Sequence, residues 1–166
     1  AGLGLHPSGD GVSEVWRRSD GQVALLLGNA ANAAAAADGT LPDYDVSHVV
    51  SVATSRTAKR LEARAAQAAT SSRVLTWRSF YMSDWLSPDA VIDMAEDLAR
   101  PLAAIDEALL LEVGEAAEAG HPGSLEALEA RSAPPRTSAP SAVPRAVLVH
   151  CDLGHNRSPT LILAYL

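Results

Sequence analysis

The chain has 166 residues, 48% of them hydrophobic, with a formal charge of -7 and a single cysteine. That length fits one domain able to bury a sizeable core, and the acidic balance excludes a general nucleic-acid binder, which needs a basic face for phosphates. One cysteine excludes an internal disulfide framework and points to a reducing compartment. No apolar run approaches the roughly 20 residues of a membrane span and no signal segment opens the chain, so it reads as soluble, cytoplasmic and without a membrane partner.

Residues 1–11 carry glycines and a proline without periodicity and read as a mobile lead-in. Two short apolar stretches, Val12 to Trp16 and Val23 to Leu27, flank a turn containing Asp20-Gly21 and predict a hairpin. Ala30 to Ala37, nearly pure alanine, predicts a helix that stops at Asp38-Gly39. Val46 to Ala53 is β-branched and apolar, as a central strand is. His48 falls inside it and reads as a core histidine, with a ligand role as the alternative. No cluster of His, Cys or acid supports a metal, and none is expected.

Thr54 to Ala69 places Arg56, Lys59, Arg60 and Arg64 among alanines at helical spacing. They read as a solvated face. The alternative is a basic rim at the C-terminal end of the strand, where α/β folds place ligands. Val74 to Met82 predicts another strand. Ser87 and Pro88 mark the start of a helix whose apolar face is Val91, Ala95, Leu98, Leu102, Ile105 and Leu109, with Pro101 as a kink. From about 112 to 144 the pattern breaks into Ala, Glu, Pro and Ser without aromatics, a low-complexity insertion unable to bury enough to fix its backbone.

The final stretch concentrates the chemistry. Ala146 to Val149 reads as a buried strand, a polar turn with Gly154 follows, and Pro159 opens an apolar helix. Loop amides converging on a helix N-terminus hold an anion, and the same field stabilises a thiolate at Cys151. Arg157, at the other end of the loop, can grip two oxygens of a phosphoryl group. Ser158 is placed to hydrogen-bond the sulfur, and His150 to orient the loop or support the thiolate. Asp152 puts an acid beside the nucleophile and is expected to raise its pKa somewhat. The alternative for Cys151 is a small buried hydrophobe.

The segment H-C-D-L-G-H-N-R-S, from His150 to Ser158, resembles the H-C-x5-R-S/T signature of cysteine-dependent protein tyrosine phosphatases. The P-T-L-I-L-A-Y-L that follows resembles the dual-specificity branch, as does L-L-L-G-N ending at Asn29. The resemblance implies a single α/β domain over 12–166, with a central, mostly parallel sheet flanked by helices. The strand from Val46 would run beside the one that ends at Cys151. It further implies hydrolysis of phosphotyrosine and phosphoserine/phosphothreonine in a protein substrate, without a cofactor. Cys151 would be the nucleophile, Arg157 would bind phosphate, and the loop Asp152, Leu153, Gly154, His155 and Asn156 would cradle it. Asn156 stands where Ser is frequent. The general acid would be Asp84, on the loop after the strand at Val74, with Asp89 and Asp93 as competitors and an ordinary turn aspartate as the alternative reading. A chain opening on Ala1 and stopping at Leu166 within a helical pattern reads as part of a longer chain or assembly, truncated relative to that family. This favours a second expectation, a catalytically weak or inactive module that binds phosphoresidues or serves an architectural role. A phosphoinositide, glucan or RNA 5′-phosphate substrate is the third, although no extra basic residue inside the loop hints at lipid.

Overall fold

The hairpin forms where the turn pair sits. Strand β1 (His6–Pro7) runs antiparallel to β2 (Ser13–Arg17), and β2 runs antiparallel to β3 (Val23–Gly28). Gly21 takes a left-handed φ of 75° at the bend. The lead-in therefore contributes a short edge strand, because ladder pairing needs backbone groups and no side-chain pattern. The molecule is a computed structural model, and it describes residues 6–7, 11–68, 75–80, 94–119 and 143–166.

The alanine run is helix α1 (Ala30–Asp38). Asn29 caps it, its side chain accepting from the amides of Ala31 and Asn32, while Asn32 reciprocates to the Asn29 amide. Gly39 ends it with φ 70°. Strand β4 (Asp45–Ser51), helix α2 (Ser55–Ala68) and strand β5 (Thr76–Ser79) follow. Helix α3 (Met94–Ala119) is next; strand β6 (Arg145–His150) and helix α4 (Arg157–Tyr165) complete the chain.

The six strands lie in the order β1-β2-β3-β6-β4-β5, and β3, β6, β4 and β5 are mutually parallel. Strand β6 is thus central, with Gly28 of β3 and Ser51 of β4 opposite His150 at its C-terminal end. Alternation along β6 feeds two cores. Val147, Val149 and Cys151 pack with Ile105 and Leu109 of α3 and Leu161 of α4 on one face. Ala146 and Leu148 pack with Ala33 and Ala36 of α1 and Leu61 of α2 on the other. A strand buried on both faces has no polar positions to spare, which is why this one reads as continuous apolar sequence.

Helix α3 modifies two expectations. Ile105 and Leu109 are buried and Leu98 and Leu102 pack partly against the same core, matching the predicted stripe, while Pro101 sits inside the helix. Beyond Leu109 the helix continues to Ala119, past the boundary placed at Glu112. The reason is Glu112 itself. Only 1% exposed, it accepts from the Ser47 hydroxyl at 2.6 Å and pairs with His48 Nδ1 at 3.1 Å and Arg145 Nε at 2.8 Å. Burial alone would raise its pKa, but the His48, Ser47 and Arg145 partners outweigh it and the carboxyl is held below its ordinary value. His48 accordingly contacts Glu112 across β4 and α3. The rest of the segment read as an insertion, 120–142, lies outside the described residues. Among those described, no helix is long and apolar enough to cross a membrane.

Candidate active site

The C-terminal ends of β3, β6 and β4 converge on the loop from Cys151 to Asn156. Gly154 has φ +77°, and a Cβ there would come within 3.1 Å of the Gly28 carbonyl oxygen. Only glycine fits both the backbone conformation and the close passage over the β3–α1 turn. The Ala30 amide donates to the Asp152 carbonyl at 3.2 Å, so the loop is fastened to the start of α1 as well as to its own strand. Helix α4 begins at Arg157 without a side-chain cap from Asn156, leaving its first amides to serve whatever lies in front of them.

What lies there is the Cys151 sulfur. The Ser158 hydroxyl and the Gly154 amide each reach Sγ at 3.2 Å. Cys151 is only 3% exposed and Ser158 is fully buried. Burial pushes the thiol pKa up, but the Ser158 hydroxyl and the amides of Ser158, Gly154 and Asn156 outweigh it, and the net direction is down. The sulfur is a hydrogen-bond acceptor at a helix N-terminus, an environment that shifts the balance toward the thiolate. The raising effect expected of Asp152 does not reverse that direction.

The reason is where Asp152 points. Its carboxylate turns toward α2, accepting from the Thr54 amide at 2.8 Å and the Thr54 hydroxyl at 3.1 Å. Arg157 Nη2 pairs with it at 3.2 Å. Burial would raise the Asp152 pKa; donation from Thr57 and Thr54 and the nearby Arg157 guanidinium together hold it below the carboxylate norm. Arg157 Nη1 also donates to the Val52 carbonyl at 3.3 Å. These contacts use two of the five guanidinium N–H groups, and the rest have no hydrogen-bond partner among the described residues.

His150 acts on the backbone. Fully buried, it donates from Nδ1 to the Cys151 carbonyl at 3.1 Å, and its ring meets Trp77 edge-on with centroids 5.6 Å apart. Burial drives its pKa down to about 4, against weaker opposing pulls from the Cys151 carbonyl and Asp152. It is therefore neutral, and it orients the loop. It does not supply a cation to the sulfur.

Cys151, Gly154, Arg157, Ser158, His150 and Asp152 are thus brought together, while Leu153, His155 and Asn156 form an exposed rim, Leu153 being 71% exposed. Asp84, Asp89 and Asp93 lie outside the described residues. Sequence reasoning missed Thr54, the residue that anchors Asp152. The signal was present locally, a threonine directly ahead of a helix in the usual capping position, but its partner is 98 residues away. Among the described residues no group of three or more His, Cys, Asp or Glu is arranged to hold a metal ion. Comparison with protein-family models, with curated proteins and with solved structures returned no match to this chain.

Proposed function

We propose that the chain is a cysteine-dependent phosphoprotein phosphatase of the dual-specificity kind, acting on phosphotyrosine and phosphoserine/phosphothreonine. The observation that carries this reading is the Cys151 sulfur receiving the Ser158 hydroxyl and the Gly154 amide at the uncapped N-terminus of α4, with Arg157 at the end of the same loop. A lone buried cysteine has no need of such donors. An anion-binding loop around a thiolate does.

In the first step the Cys151 thiolate attacks phosphorus. An S–P bond forms, the P–O bond to the alcohol or phenol breaks, and Asp84 gives its proton to the departing oxygen. Loop amides and the remaining guanidinium N–H groups of Arg157 carry the charge developing on the phosphoryl oxygens. In the second step water attacks phosphorus, the S–P bond breaks, and Asp84 takes the water proton, giving inorganic phosphate. The Ser158 hydroxyl stabilises the thiolate as it leaves. His150 holds the Cys151 carbonyl, and Asp152 steadies Arg157 against α2, so both are positioning residues.

The test is hydrolysis of p-nitrophenyl phosphate under reducing conditions by the protein and by its Cys151→Ser variant. Turnover by the first and none by the second is expected. Vanadate binding without turnover overturns the enzyme and leaves a module that binds phosphoresidues. Asp84→Ala tests the acid separately. It should slow alkyl phosphates far more than aryl phosphates with good leaving groups, and equal slowing removes Asp84 from the role.

A further inference from the structure

The chain is acidic, yet α2 carries Arg56, Lys59, Arg60 and Arg64 against the single acid Glu62. All four cations are exposed. Arg64 is paired with Asp38 through Nε at 2.7 Å, whereas Arg56, Lys59 and Arg60 have no ion pair among the described residues. Arg56, Arg60 and Arg64 follow one another at four-residue steps, so they form one stripe along the helix. Arg60 and Arg64 line a groove with Leu61, and its other wall is Ala30, Ala31 and Ala34 of α1.

The two helices that wall this groove both begin at the cysteine loop. On the α1 side the Ala30 amide is bonded to the Asp152 carbonyl. On the α2 side Thr54, two residues before Arg56, is bonded to the Asp152 carboxylate. Both walls therefore start at the same loop residue. The wall made by Ala30, Ala31 and Ala34 presents only methyl side chains. From Arg56 to Arg64 the stripe covers about 12 Å at helical rise, the reach of roughly four extended residues.

We infer that the α1–α2 groove, together with the basic stripe that runs along α2, is a second recognition site, for an acidic segment of the phosphorylated protein that flanks the phosphoresidue, with Arg56 and Arg60 as the stripe's cations that have no ion pair among the described residues. The inference rests on the phosphatase reading for the cysteine-loop site. A basic stripe on a chain of net negative charge selects by complementarity, drawing carboxylates to itself.

The test compares two phosphotyrosine peptides, one with Asp and Glu on both flanks and one with Asn and Gln in their place. Affinity is measured by fluorescence polarisation for Cys151→Ser, alone and combined with Arg56→Gln and Arg60→Gln. The acidic peptide should bind about tenfold tighter than the neutral one at low salt. That preference should shrink at high salt, where exposed charges are screened, and vanish in the charge-removed variant. Equal binding of the two peptides, or a preference that survives loss of both arginines, overturns the groove and leaves the loop site standing. Binding of neither peptide overturns both. Selective binding by a protein that does not hydrolyse p-nitrophenyl phosphate overturns the enzyme and keeps the groove.

Discussion

Replacing Ser158 by alanine removes the one hydroxyl aimed at the Cys151 sulfur, across 3.2 Å and in full burial. A hydrogen bond to a charged group contributes about 1.5–3 kcal/mol, and one pKa unit corresponds to about 1.4 kcal/mol. The thiolate pKa should therefore rise by roughly one to two units in Ser158→Ala, less whatever the neutral thiol also gains from the hydroxyl. Below that pKa the thiolate fraction falls by the corresponding factor of about 10 to 100. Because Cys151 is the only cysteine, ultraviolet thiolate absorbance and the pH dependence of alkylation both report on this one group. The Ser158 hydroxyl is 3.5 Å from the Gly28 carbonyl, too long to matter much, so melting should change little. An unchanged thiol titration in a folded Ser158→Ala protein would refute the idea that donors around the sulfur set its ionisation.

Three further outcomes follow from the same geometry. Gly154→Ala forces a side chain into a left-handed backbone, at about 1–2 kcal/mol, and onto the Gly28 carbonyl; a lower melting temperature and loss of vanadate binding are expected, and an unaltered protein contradicts the described loop. His150 is neutral and buried, with its pKa depressed from 6.5 to about 4, so its contribution is complete above pH 6.5 and is lost as pH falls through 4. That amounts to about 3 kcal/mol. Denaturant titrations between pH 6.5 and 4.5 should show a shallower fall for His150→Gln than for the parent, and parallel curves would speak against it. Glu112→Ala strips Ser47, His48 and Arg145 of a shared buried acceptor; a loss of about 2 kcal/mol or more in chemical denaturation is expected, and a neutral effect would show that this end of α3 is not held by it.

Local pattern made much of this legible. The turn pair at Asp20-Gly21, the alanine run ended by Gly39, and the unbroken apolar stretch before His150 each have a local physical cause, and each formed as read. Cys151, Gly154 and Ser158 were also readable, because a sulfur, a turn and a hydroxyl lie within eight consecutive residues. What escaped was direction and distance. Spacing places Asp152 beside the nucleophile, but only the sheet order brings Thr54 close enough to turn its carboxylate away. Glu112 opens a stretch whose composition looks unable to pack, and its burial depends on three residues from β4 and β6. Long-range polar satisfaction of this sort leaves no periodic trace in a sequence.

The central claim is that Cys151 becomes phosphorylated and is then freed by water. An acid quench during turnover of p-nitrophenyl phosphate, followed by mass spectrometry of the peptide carrying Cys151, tests it most directly. The account predicts a mass gain of one phosphoryl group on Cys151, which accumulates further in Asp84→Ala. Turnover without any phosphoryl group on Cys151 in either protein would contradict it.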